Sequence, residues 1–156
     1  MLIGEIYHKH PKVLHKDNTV REAVAELLKD DINGAVVVDD QLHVHGIVSL
    51  QDIAGATVPD EFKANVNMAL AMYRRGFFKE MCEEIADLPI TKVMRKEFLK
   101  VTLETNIMAV TVDFLKNDLY IVPVIKDKQL IGVVTRTQIK LAIAEHMGLL
   151  KKKGDD

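Results

Sequence analysis

A chain of 156 residues with 48% apolar content can bury a core unaided, and a net charge of −2 gives no basic field for a nucleic-acid backbone. The single cysteine, Cys82, excludes an internal disulfide and suits a reducing cytoplasm. No run reaches the roughly 20 apolar residues of a membrane span, and no charged leader with an apolar stretch opens the chain.

Taken in order, the chain begins with a short apolar segment, Ile3, Ile6, Tyr7 and Leu14. Thr19 with Glu22 has the form of a capping box, and Val20, Ala23, Val24, Leu27 and Leu28 behind it have helical spacing. Ala35-Val36-Val37-Val38 reads as a buried strand, and Gly46 is expected to open the next strand, Gly46-Ile47-Val48-Ser49. A second helix begins near Gln51. Residues 59–89 carry helical patterns of their own: Pro59-Asp60-Glu61 as a start, then Phe62, Val66, Ala69, Leu70 and Tyr73 on one face. Beyond Gly76 a second stripe runs Phe77, Met81, Cys82 and Ile85. Met68, Met72, Met81 and Met94 read as core or interface filling.

From residue 90 the pattern repeats. A shift of 87 residues lays Ile3 on Ile90, Ile6 on Val93, Tyr7 on Met94 and Leu14 on Val101. Asn106 is an N-cap for a helix bearing Ile107, Val110, Phe114 and Leu115. Ile121-Val122-Pro123-Val124-Ile125 follows as a strand, where Pro123 argues for an edge or strand entry. The next turn is one residue shorter, so Gly132 meets Gly46 and opens Gly132-Val133-Val134-Thr135 ahead of a helix near Thr137. Each copy thus runs strand, helix, strand, strand, helix over about 50–60 residues, too few for a core of its own, so the copies should pack about a pseudo-twofold axis in an α/β (α+β) fold. The expected units are 1–58, the helical insertion 59–89, 90–150, and a flexible charged tail 151–156.

The signatures Gly46-Ile47-Val48-Ser49-Leu50-Gln51-Asp52-Ile53 and Gly132-Val133-Val134-Thr135-Arg136-Thr137-Gln138-Ile139 resemble the cystathionine-β-synthase (CBS) domain family. That family's pattern is Gly, two apolar residues, Ser or Thr, two free positions, Asp, apolar; the second copy departs from it at Gln138. The resemblance implies a tandem CBS pair (Bateman module) of two βαββα repeats whose clefts hold AMP, ADP, ATP or another adenosyl compound. It also implies a disc-like homodimer that regulates an unidentified effector protein. In that reading the Ser49 hydroxyl and the N–H groups of the following helix face phosphate, and Asp52 accepts from the ribose hydroxyls. The same two residues also read as an N-cap and a first-turn acid, which need no ligand. His15 and Thr102, after the first strands, and Asn33 and Tyr120, before the second strands, are candidate base or phosphate contacts. Thr135 and Arg136 belong to the second cleft, where uncharged Gln138 predicts weaker or absent binding.

Two other readings come from other classes. A ligand-free CBS pair could serve as a dimerisation or docking platform. Metal sensing rests on His43-Val44-His45 and His8-Lys9-His10, with no CxxC, HExxH or carboxylate cluster to complete a site. No catalytic residue is assigned: there is no Gly-rich loop with a following lysine, no nucleophile elbow and no triad.

Overall fold

The computed structural model describes residues 1–71, 74–117 and 121–150. A 3-10 turn, Ile3–Glu5, leads to β1 (His8–Lys9), β2 (Val13–His15), α1 (Val20–Asp30), β3 (Gly34–Val38), β4 (Val44–Ser49) and α2 (Leu50–Ala56). Three helices follow, α3 (Asp60–Lys63), α4 (Val66–Ala71) and α5 (Phe77–Ala86). The second copy has a 3-10 turn, Ile90–Lys92, then α6 (Ile107–Asn117), β5 (Ile121–Lys126), β6 (Gln129–Thr135) and α7 (Arg136–His146). Strands β2-β3-β4 form one sheet and β1-β6-β5 the other, giving the mixed α/β architecture expected.

Local chemistry sets the helix starts. Thr19 and Glu22 form the expected reciprocal cap, with Glu22 N donating to Thr19 Oγ1 at 3.2 Å and Thr19 N to Glu22 Oε1 at 3.1 Å. Asn106 Oδ1 accepts from Met108 N at 2.9 Å. Helix α1 then buries Val20, Ala23 and Leu27 against Ala35, Val37 and Val48, each large side chain contributing about 1.5–3 kcal/mol. The alternate residues of the same strands, Val36, Val38 and Ile47, face the other sheet and meet Ile121, Leu130 and Val133. A third cluster, Ile3, Val101, Val110, Val122, Val124 and Val134, lies beneath α6. Both faces of each sheet are therefore covered, and the two copies share the central layer.

The copies also exchange their first segments. β1 belongs to the first copy but pairs antiparallel with β6 of the second, His8 opposite Val133 and Lys9 opposite Gly132. Reciprocally, Arg95 of the second copy bridges Ile47 on β4, donating from N to Ile47 O at 2.8 Å and accepting from Ile47 N at 3.0 Å. The 87-residue shift that superposes Tyr7 on Met94 places His8 on Arg95, so the two contacts are one contact repeated. The opening turns obey the same symmetry: Ile3 N donates to Thr105 O at 2.9 Å, and Ile90 N to Asn18 O at 2.8 Å. A pseudo-twofold pair results, refined by the exchange.

Two local expectations change, and a third is met. β4 begins at Val44 and β6 at Gln129, ahead of the glycines expected to open them, because each hairpin register continues through a bulge toward its turn. Of the two places expected for Pro123 it takes the first: it lies inside β5, which is an edge strand of its sheet. Its carbonyl accepts from Val101 N at 3.1 Å, so its ring nitrogen faces that same side, where pairing is a single parallel bridge between Val101 and Val124. In the first copy, where Val36 stands at this place, β2 and β3 pair over three residues. Finally, the stripe Phe62, Val66, Ala69 and Leu70 is split between α3 and α4, because the Asn65 side chain accepts from Met68 N at 3.2 Å and starts a new helix. Val66 and Leu70 are exposed. Tyr73 and Met72 lie outside the described residues, as do 151–156. α5 does bury Ile85 in the core under α1 and α2. Among the described residues no helix is long and apolar enough to cross a membrane.

Candidate functional site

The first signature folds as a strand end feeding a helix. Ser49 is extended, at φ −117° and ψ 164°, and caps α2. Asp52 N donates to Ser49 Oγ at 3.2 Å, while Ser49 N and Oγ donate to Asp52 Oδ2 at 2.8 and 2.9 Å. Leu50 N donates to the main-chain oxygen of Asn33 at 2.7 Å. The Ser49 hydroxyl and the Leu50 and Asp52 amides, expected to face a phosphate, are thus engaged by Asp52, Asn33 and Ser49, and the cap and the candidate ligand residues are one structure.

The second carboxylate oxygen of Asp52 reaches across to the other copy. Arg95 Nε donates to Asp52 Oδ1 at 3.0 Å, and Arg95 Nη1 donates to Asn117 O, in the last turn of α6, at 3.4 Å. The Asp52 side chain is 12% exposed and that of Arg95 is 34% exposed. Partial burial makes this ion pair worth more than a surface one, and it crosses the boundary between copies. Arg95 lines a cavity of about 460 Å³ with Glu97, Phe98, Leu99, Asp113 and Asn117. Asp113 Oδ1 accepts from Asn117 Nδ2 at 2.8 Å, and its buried Oδ2 has no hydrogen-bond partner among the described residues. The sequence reading did not single out Arg95. No motif marks it, and only the strand exchange, aligned with His8, brings it to Asp52.

The second signature has the same cap with different chemistry. Thr135 N and Oγ1 donate to Gln138 Oε1 at 2.8 and 2.7 Å, and Gln138 is 8% exposed. One extra methylene lets the amide oxygen do the capping work of Asp52 without its charge. The place of Arg95 is held here by His8, which is exposed. Arg136, the first residue of α7, is exposed, and Tyr120 lies outside the described residues.

The remaining candidates stand elsewhere. His15 pairs with Val38 at the end of its sheet opposite to the one where Gly34 pairs with Ser49, so it is not brought to Asp52. Its Nδ1 accepts from Asp17 N at 3.2 Å, which assigns the proton to Nε2 and its 2.7 Å bond to Asp40 Oδ1. A groove of about 460 Å³ beside it is lined by Asn18, Glu22, Glu26 and Asp39. Thr102 sits at the matching end of the second copy, with Thr102 N donating to Thr105 Oγ1 at 3.0 Å. Asn33, exposed, is the one loop candidate beside Ser49.

The histidine motif of the metal-sensing reading forms a turn closed on Asp39. His45 Nε2 is 2.9 Å and His43 Nδ1 3.6 Å from Asp39 Oδ2. The His45 bond, aided by the amides of His43 and Gln41, outweighs desolvation and lowers the Asp39 carboxyl from 3.8 to about 2. Among the described residues no three His, Cys, Asp or Glu side chains are grouped to hold a metal ion.

The CBS domain model matches residues 3–58 and 87–145. Solved structures of similar fold include CBSX2 in complex with AMP, at TM-score 0.69 and 19% identity, covering 94% of this chain and 98% of that one. The CBS domain pair of MJ0100, in complex with 5′-methylthioadenosine and S-adenosyl-L-methionine, aligns at TM-score 0.67 and 22% identity over 94% and 98% of the two chains. The CBS domain of a CBS-domain-containing membrane protein from Sphaerobacter thermophilus aligns at TM-score 0.66 and 19% identity over 97% and 88%. No curated protein matches the sequence. At these identities the likeness is one of fold.

Proposed function

The chain belongs to the CBS-domain family, matched in both copies, and from that premise we propose that it is a regulatory module binding an adenine nucleotide or other adenosyl compound where Asp52 meets Arg95. The observation that carries this reading is Asp52 itself. A mostly buried carboxylate is held by its own cap through one oxygen and by an exchangeable arginine through the other, beside a cavity of about 460 Å³ whose lining includes the apolar Phe98 and Leu99. A ribose diol can take the oxygen that Arg95 holds, and the base has an apolar wall. The AMP, methylthioadenosine and S-adenosylmethionine complexes of the structural relatives support the same ligand class. The role is regulatory rather than catalytic, and the single Cys82 fits a cytoplasmic setting.

The module acts as a homodimer in this reading. Val24 and Leu28 of α1, Leu50 of α2, Met108, Val112 and Leu115 of α6, and Leu141 and Ile143 of α7 are exposed apolar side chains on the helical layers. A second copy covers them, and an effector protein reads the assembled state.

Thermal shift with AMP, ADP, ATP, 5′-methylthioadenosine and S-adenosylmethionine tests the ligand class. A ligand at 100 times its dissociation constant adds about 2.7 kcal/mol, or about 5–10 °C for a domain of this size. No shift with any of the five at millimolar concentration removes the sensing reading and leaves a docking platform.

A further inference from the structure

We propose that Arg95 is the specificity-determining residue of this cleft, making it select adenosyl ligands that carry a phosphate over those that do not; this rests on the adenosyl-binding reading above. Both oxygens of Asp52 are engaged. Oδ2 belongs to the Ser49 cap, and removing those two bonds would undo the start of α2. Oδ1 is therefore the oxygen a ribose hydroxyl must use, and Arg95 Nε occupies it at 3.0 Å.

A ligand that takes Oδ1 displaces a guanidinium whose other bond, to Asn117 O, is long at 3.4 Å. The arginine then loses its anion in a partly buried place, a cost the ligand has to offset. An uncharged nucleoside returns nothing to it. A phosphate returns a bidentate partner matched to the guanidinium fork, and Arg95, about a third exposed, is positioned to turn toward it. At the cap, Leu50 N and Asp52 N are already bonded, so the charged donor next to Asp52 is Arg95. The other charged residues lining the cavity, Glu97 and Asp113, are carboxylates, so among its lining residues Arg95 supplies the cation a phosphate can use. In the second cleft, Gln138 and His8 replace the pair, so the selection operates once per chain.

Calorimetry of AMP, adenosine and 5′-methylthioadenosine against the wild type, Arg95→Gln and Arg95→Lys tests this. Wild type should bind AMP about ten- to a hundredfold more tightly than adenosine, the range of one charge-assisted contact. In Arg95→Gln the preference should collapse toward equality, with AMP weakened and adenosine strengthened, because Asp52 is released for the ribose. That opposite movement separates specificity from structural damage, which weakens both ligands together. Arg95→Lys should keep part of the preference. Equal affinities for AMP and adenosine in the wild type, or an unchanged ratio in Arg95→Gln, overturn the inference while leaving the adenosyl-binding reading intact. Binding of none of the three compounds overturns both.

Discussion

Lys12 stands between two carboxylates of α1, with Nζ 2.6 Å from Glu26 Oε2 and 2.9 Å from Asp30 Oδ2, and Lys29 Nζ adds a bond to Glu26 Oε1 at 2.9 Å. Lys12 first, then Lys29, lower the Glu26 carboxyl from 4.5 to about 2. The matching places in the second copy hold Leu99, Asp113 and Asn117, so the cation is lost and Asp113 keeps an unpaired oxygen. The consequence for stability has a definite sign. Unfolded, Glu26 takes up its proton near 4.5; folded, it does so near 2, and the unfolded chain binds more protons between those values. The contribution is complete above 4.5 and is lost as the pH falls through about 2. Asp39, lowered from 3.8 to about 2, acts in the same interval. Lys12→Met should flatten part of the acid limb of a plot of urea midpoint against pH, and Asp39→Asn a further part. Equal limbs in the wild type and Lys12→Met would refute the assignment.

At the scale of elements, the exchanged segments explain why glycine recurs at Gly46 and Gly132. A Cβ on Gly46 would lie 2.6 Å from Arg95 O and 2.6 Å from Met94 Sδ, and one on Gly132 would lie 2.5 Å from His8 O and 2.5 Å from the Tyr7 ring. The carbonyls are fixed by strand pairing and cannot retreat. Gly46→Ala and Gly132→Ala should each destabilise by about 1–3 kcal/mol, read as a lowered urea midpoint. Gly55→Ala, with nothing within 4 Å of its added Cβ, serves as the control and should be neutral or stabilising. A loss at Gly55 equal to that at Gly46 would mean the crowding is not the cause. The elements that were legible in the sequence are those fixed locally: the Thr19 and Asn106 caps, the α1 and α6 stripes, and the valine strands. The exchange was not, because periodicity says which face of β1 is buried but not which of two alike sheets it joins. Arg95 stayed hidden for the same reason, since its partner is set by that choice. Ser49 and Asp52 were legible as a pair because the cap that joins them spans one helical turn. His15 and Thr102 were drawn toward the site by chain order, whereas the strands carry them to the far sheet ends.

The whole molecule has two apolar helical surfaces related by its pseudo-twofold axis, and they are not equally covered. Leu28 on α1 and Leu115 on α6 correspond across the 87-residue shift and are 77% and 81% exposed. On the first copy, α5 of the insertion overlies the neighbouring groove, where Phe78 and Cys82 join Val20, Val24, Leu50 and Ile53. The corresponding groove of the second copy, lined by Ile107, Met108, Thr111, Ile139, Ala142 and Ile143, has no such helix over it among the described residues. A homodimer therefore should draw most of its apolar contact from α6 and α7, the side the insertion leaves open. Each buried leucine or methionine there contributes about 1.5–3 kcal/mol to association, and a charge in its place must be desolvated without a partner. Leu115→Glu should leave the fold intact, because that side chain contributes almost nothing to the monomer core, yet shift the protein from dimer to monomer. Leu28→Glu, on the side already served by α5, should weaken the dimer less. Light scattering at tens of micromolar reads the outcome directly. A wild-type mass equal to one chain would sink the dimer, and equal dissociation by the two variants would sink the asymmetry that the insertion imposes.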